Sequence, residues 1–318
     1  MNLQVQCSDD GQQSFDTLAP GQAVAVNWSE QQYFADRQAL TRSALGLLPF
    51  KPMQFGAWVR NELVEREATD DMRFGTLLHA ALLEPERFSK TWLPKPTKPA
   101  HARAGAGAGT PERLAFEAWK LAEAAHEITV QKYPNALAAT ANDIARINGI
   151  RDAVRRHDVA SVLLSTPGLS EQTIVWREPM TELLVKVRVD WLTRISAVDA
   201  FGTDLEPGLY DVDLKSTAMD SPGLLAQSVR KFGYLPQAAL YSDATEALFG
   251  EPVMWMWVAV TGEPDFDGKH GASVYALTPE QRERGREIYK AQLFEALDRL
   301  SRNDWSPAHR RGVQTLNL

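Results

Sequence analysis

Residues Tyr210–Thr217, Tyr-Asp-Val-Asp-Leu-Lys-Ser-Thr, constrain the fold of this chain more than any other stretch. Side chains of a strand alternate between its faces, so Asp211, Asp213 and Lys215 share one face while Val212 and Leu214 turn to the core. Two carboxylates and an amine on one surface can hold a divalent cation with a lysine beside it, which is equipment for hydrolysing a phosphodiester. The spacing itself is unspecific, since about one acid-x-Lys triplet is expected by chance at this length. A second triplet, Asp267-Gly268-Lys269, has a glycine and the nearby Pro264 and reads as a loop.

The preceding segment reads as the partner of this strand. In Leu183–Thr193, Leu183, Val185, Val187 and Val189 face one way and Lys186, Arg188 and Asp190 the other. Ser196–Gly208 carries Asp, Gly and Pro and reads as a long hairpin connection, so pairing brings Asp190 toward Asp213. Gln172–Trp176, Pro252–Thr261 and Ser273–Leu277 read as further strands, with Trp255 and Trp257 on one face. Helices are expected over Pro111–Tyr133, Asn135–His157, Ser221–Lys231, Pro236–Phe249 and Pro279–Asn303. These elements make a mixed α/β chain with a central sheet flanked by helices. The expected organisation is an extended arm over 1–30, a helical region over 31–160, a core over 161–305 and a tail over 306–318.

Composition removes several classes. With 318 residues, 44% hydrophobic and 24% charged, the chain can bury a large core. No apolar run reaches the roughly 20 residues of a membrane span, and the polar start lacks signal-peptide order, so a cytoplasmic protein is expected. One cysteine, Cys7, excludes an internal disulfide framework and a four-cysteine cluster, leaving oxygen or imidazole as metal ligands. The net charge of −7 argues weakly against binding nucleic acid through bulk positive potential.

Smaller features complete the pattern. Arg73–Pro85 reads as a helix with His79 one turn after Gly75, whose missing side chain is expected to admit another backbone. Ala104–Gly109 has loop composition after the basic residues Lys95, Lys98, His101 and Arg103. Arg146, Arg151, Arg155 and Arg156 give the second long helix a basic character suited to a solvated face or a DNA backbone. Gln237 and Tyr241 lie one turn apart on a helix, with Tyr234 close by.

Taken together, Gly75-x-x-x-His79, Val189-Asp190, Asp213-Leu214-Lys215-Ser216-Thr217 and Tyr234-x-x-Gln237-x-x-x-Tyr241 resemble the RecE-type nucleases, exonuclease VIII and its phage relatives, in the PD-(D/E)XK superfamily. Leu83–Phe88, Ser170-Glu171 and Asn303-Asp304-Trp305 add to the resemblance, which covers Tyr33 to Trp305. Val189 replaces a proline common in relatives, and the Gly-Ala run replaces a more polar loop. The resemblance implies that Asp190 and Asp213 bind magnesium, which manganese can replace, with the Leu214 carbonyl as a further ligand, His79 beside the metal and Glu171 as a neighbour. Lys215 would orient or activate water and stabilise phosphoryl charge, while Gln237 and Tyr241 position the strand or the water. Asp211 rivals Asp213 on strand geometry alone. It further implies a 5′→3′ exonuclease on double-stranded DNA ends, a ring-shaped homo-oligomer of trimeric or tetrameric kind, and a single-strand annealing recombinase as partner. The alternative is a catalytically inactive relative acting as a DNA-end-binding adaptor, whose mark would be a lost acid or lysine; none is lost here.

Overall fold

The computed structural model describes residues 7–8, 15–63, 69–133, 136–217 and 221–306. The chain opens with strands β1 (Cys7–Ser8) and β2 (Ala23–Val26), helix α1 (Glu30–Ala35), strand β3 (Leu40–Thr41) and helices α2 (Arg42–Leu45), α3 (Pro52–Val59), α4 (Asp70–Leu83) and α5 (Pro85–Thr91). Strands β4 (Trp92–Pro94) and β5 (Leu137–Ala139) pair around helix α6 (Pro111–Lys132), and α7 (Ala141–Arg156) and α8 (Asp158–Ser165) follow. The central run is β6 (Gly168–Arg177), β7 (Leu184–Ile195) and β8 (Gly208–Thr217). Helices α9 (Pro222–Phe232) and α10 (Tyr234–Phe249), strands β9 (Val253–Thr261) and β10 (Ala272–Ala276), and α11 (Pro279–Arg302) complete the order.

Among the described residues, eight strands form one mixed sheet in the order β1-β2-β6-β7-β8-β9-β10, with β3 pairing to β7. β6, β7 and β8 are antiparallel neighbours, whereas β8 and β9 run parallel because α9 and α10 cross between them. Helices cover both faces. One core holds Leu77, Leu78, Ile147, Ile150 and Leu163 of α4, α7 and α8 against Tyr210, Val212 and Leu214 of β8. The other packs Leu240, Tyr289 and Leu293 of α10 and α11 against Val185, Val187 and Val189 of β7. Both faces of β8 are therefore buried, which is where a strand between parallel and antiparallel neighbours belongs.

Several expectations need correction. Residues 15–30 are not a free arm: β2 pairs with β6, and Phe15 is buried beside Val26. Because β2 and β3 join the central sheet and α4 and α7 share a core with β8, residue 160 marks no structural boundary. The helix expected from Asn135 begins at Ala141, where Thr140 caps it and Asp143 returns a bond to the Thr140 backbone; Leu137–Ala139 pairs as a strand instead. Asn135 itself, residues 306–318 apart from Ser306, and residues 1–6 and 9–14 lie outside the described residues. No helix among the described residues is long and apolar enough to cross a membrane.

Candidate active site

The site grows from a defect in the sheet. β7 pairs with β8 only from Trp191 opposite Val212 to Ile195 opposite Gly208, and the ladder stops one step before Asp190 and Asp213. Beyond that point β7 is paired along its other edge with β6, while β3 takes up its free edge at Val185 and Lys186. The sheet thus forks between β3 and β8. Backbone groups of Leu214 that would have met β7 are left to side chains: the Leu214 N–H donates to Asp190 Oδ2 at 3.0 Å, and His79 Nε2–H donates to the Leu214 carbonyl at 3.0 Å.

The fork also disturbs the alternation. Val185, Val187 and Val189 face the α10–α11 core, but beyond Asp190 it is Leu192 that joins this core, while Trp191 packs against the opposite one. The facing pair, Glu171 and Asp190, is missing from an otherwise continuous β6–β7 ladder, and Glu171 adopts φ 49°, the left-handed region disfavoured for a residue with a side chain. This local kink turns both carboxylates toward the fork. Glu171 Oε2 accepts from Arg188 Nε at 2.7 Å, and Glu171 Oε1 lies 3.5 Å from His79 Nδ1, with Asp190 Oδ2 3.8 Å from the same nitrogen.

On the α10 side, Lys215 Nζ donates to Asp213 Oδ1 at 2.7 Å, and Gln237 Nε2 donates to the same oxygen at 3.1 Å. Asp213 Oδ2 is buried without a hydrogen-bond partner. Tyr241 lies one turn beyond Gln237, and burial, helped by the Asp190 and Asp213 charges, holds its hydroxyl well above the usual phenol range. Its hydroxyl meets Tyr33 and the Arg188 backbone, and its ring packs edge-on to Trp255 at 5.9 Å.

Electrostatics separate the acids. Burial and the charges of Asp213 and Asp190 push Asp211 well above the usual carboxylate range, and Thr245 Oγ1 donates to it at 3.4 Å. Asp211 is completely buried under α10 with Oδ1 unpartnered, so burial disfavours the charged form of this rival for the metal. Burial also raises Asp213, to about 6, with the nearby Asp190 charge adding to it and the Lys215 ammonium only partly offsetting both. Burial opposes the charge on Lys215, but Asp213 and Asp190 outweigh it and hold the amine above its usual value. Burial would likewise lower His79, yet Asp190 and Glu171 raise it to about 9. Glu171 is disfavoured as an anion by burial, and His79 and Arg188 bring it below its usual value nonetheless.

The donor set suits a hard divalent cation. His79, Glu171 and Asp190 offer ligand atoms all within 4.8 Å of one another, and the orphaned Asp213 oxygen and the Leu214 carbonyl belong to the same fork. The Leu214 carbonyl holds the proton on Nε2, so the Nδ1 proton facing the carboxylates is the one a cation would displace, and Nδ1 would then offer its lone pair as a ligand. Oxygen-rich coordination with one imidazole is compatible with magnesium or manganese.

Some features were not anticipated. Gly75 has nothing within 4 Å of where a side chain would start, so no backbone approaches it. Arg146 stacks on the Phe74 ring at 3.7 Å and donates to the Gly262 carbonyl, and Arg151 donates to the Ala81 carbonyl; these two arginines of α7 are structural. Lys186 is fully buried and donates to the carbonyls of Tyr33 and Asp36 and to the Asp36 carboxylate at 2.9 Å, pinning α1 under the fork. Its place on the polar side of the strand was readable, but its distant partners were not. The Asp267-Gly268-Lys269 triplet lies in a loop, where Asp265 Oδ1 accepts from the Asp267 and Lys269 N–H groups.

Known proteins place this geometry in a wider setting. The fold is similar to that of the crystal structure of a "Putative exonuclease" from Eubacterium rectale, with TM-score 0.53, 12% sequence identity, and 87% of this chain and 88% of that chain covered. No curated protein matches the chain. The family described as a PDDEXK-like domain of unknown function (DUF3799) matches residues 52–309, a span that includes His79, Glu171, Asp190, Asp213 and Lys215. The chain belongs to this family of PDDEXK-like domains.

Proposed function

We propose that the protein is a magnesium-dependent 5′→3′ exonuclease that degrades one strand of double-stranded DNA from its ends, leaving 3′ single-stranded tails for recombination. The observation that carries this reading is the meeting of Asp190 and His79 on the Leu214 backbone, beside the paired Asp213 and Lys215, at the open end of the β7–β8 ladder. It is supported by the membership of the PDDEXK-like family and by the fold shared with a protein described as an exonuclease.

When bound, a divalent cation supplies the positive charge that stabilises the phosphoryl oxygens and makes the attacking water easier to deprotonate. The chain's own groups divide the remaining work. Asp190, Glu171 and His79, with Asp213 and the Leu214 carbonyl, would hold the cation. Lys215, kept protonated by its carboxylate neighbours, acts as a donor to the charge that builds on the phosphoryl oxygen rather than as a base. Gln237 fixes the Asp213 carboxylate, so its role is to position the acid. The presence of the full ion-paired set favours this reading over an inactive end-binding adaptor.

The same reading includes manganese as a substitute, a ring-shaped homo-oligomer of three or four chains, a single-strand annealing recombinase as partner, and action in the cytoplasm of a bacterial or phage-infected cell. It is tested with linear duplexes labelled separately at the 5′ and 3′ ends, beside a closed circular control. Early magnesium-dependent release of the 5′ label with the circle spared is expected. Nicking of the circle would replace the exonuclease with an endonuclease, and release of the 3′ label first would reverse the polarity.

A further inference from the structure

A row of charged and aromatic groups leads outward from Lys215. Its ammonium lies 5.0 Å from the centroid of the Tyr234 ring, and Tyr234 is stacked on Phe232 with centroids 5.7 Å apart and ring planes 29° apart. Lys231 Nζ lies 5.1 Å from the centroid of the Phe232 ring. The row is held by the junction of two helices. α9 ends at Phe232, Gly233 turns the chain at φ 68°, and Tyr234 begins α10. Arg42 of α2 donates to the Gly233 carbonyl at 3.1 Å and ties this corner to the body of the protein.

An apolar contact across a helix C-terminus is a common way to close the last turn, and it accounts for Phe232 meeting Tyr234. It does not account for the rest of the ring. Phe232 is 57% exposed, and Arg230 and Lys231 are exposed beside it. An exposed ring stacked on Tyr234 and otherwise covered only by the flexible Lys231 side chain, which a phosphate can draw aside, has the character of a surface for a planar group carried on a polyanion.

We infer that Phe232 is a stacking platform for a nucleobase of the strand entering the site. This inference rests on the nuclease reading above. Arg230 and Lys231 take the flanking phosphates, and Tyr234 couples the stacked base to the lysine that faces the reacting phosphate. Every base has a π-face, so such a platform holds the strand without reading its sequence.

The test is binding of a single-stranded oligonucleotide and of its fully abasic counterpart of equal length, followed by fluorescence anisotropy with calcium in place of magnesium. Wild type is expected to prefer the base-bearing strand by roughly tenfold. Phe232→Leu keeps an apolar contact with Tyr234 but no aromatic face, and is expected to lose most of that preference while binding the abasic strand as wild type does. Phe232→Trp is expected to keep it. Equal melting temperatures of the three proteins establish that the helix junction is intact. A Phe232→Leu variant that retains the whole base preference, or a wild type that shows none, overturns the platform. If wild type still cleaves DNA with magnesium in that case, the nuclease reading stands without it; a wild type that binds neither strand and cuts no DNA overturns both.

Discussion

At the scale of single residues, the acid-x-lysine spacing identified Asp213 and Lys215 but could not separate Asp213 from Asp211, because strand geometry places both on one face. The helix above decides between them. Each acid keeps one buried oxygen unpartnered, but Asp211 lies under Thr245 with burial disfavouring its charge, whereas Asp213 meets the Lys215 ammonium and Gln237. Lys215→Ala is therefore expected to lower magnesium-dependent cleavage by roughly 10²–10³-fold, the cost of removing one donor to developing charge. Its circular dichroism should match wild type, because Asp213, already raised to about 6, can accept a proton when its partner is gone. His79 gives a pH signature. Its value rises from 6.5 to about 9 in the folded chain, so the protonated imidazole adds stability that is fully present below pH 6.5 and is lost as pH rises through about 9. Thermal melts in EDTA should show stability falling across that window for wild type and a flatter profile for His79→Gln. Parallel profiles would remove His79 from the network.

At the scale of elements, the alternation of β7 was readable from Val185 to Val189 but not its slip at Asp190. That slip depends on the left-handed conformation of Glu171 in the neighbouring strand, and no local pattern signals a φ of 49° at a glutamate. Long-range partners were hidden for the same reason. Lys186 finds Tyr33 and Asp36 across 150 residues or more, and the two-residue strand β3 is too short for any period to reveal. Packing between α10 and α11 holds Gln237 in place. A side chain at Gly285 would begin 2.5 Å from the Leu235 carbonyl and 2.9 Å from Ala239, with no flexible group to yield. Gly285→Ala should destabilise the protein by about 1–3 kcal/mol in urea unfolding, the usual cost of overpacking a tight contact. An unchanged midpoint would mean the two helices separate without cost. Near them, Asp243 accepts from Arg282, Arg286 and Tyr289, and these bonds outweigh burial and keep it below the usual carboxylate range, so the helix pair carries its own ionic clamp.

At the scale of the molecule, the mixed α/β class and the pairing of β7 with β8 followed from alternation and helix caps, which are local. The incorporation of β2 and β3 into the sheet did not, because pairing between residues 23–26 and 173–176 is a tertiary choice. The consequence is functional. β3 occupies the free edge of β7 and so sets where the fork begins, and α4 closes the fork from the other face with His79. A site assembled from α4, β6, β7, β8 and α10 depends on the whole fold, which is why distant segments of the sequence carry it. The most direct test is cleavage of a linear duplex by wild type and by Lys215→Ala, each with magnesium and with EDTA. Rapid strand loss is expected only for wild type with magnesium, with Lys215→Ala slower by roughly 10²–10³-fold. Equal cleavage by the two proteins, or cleavage by wild type that survives EDTA, would contradict it.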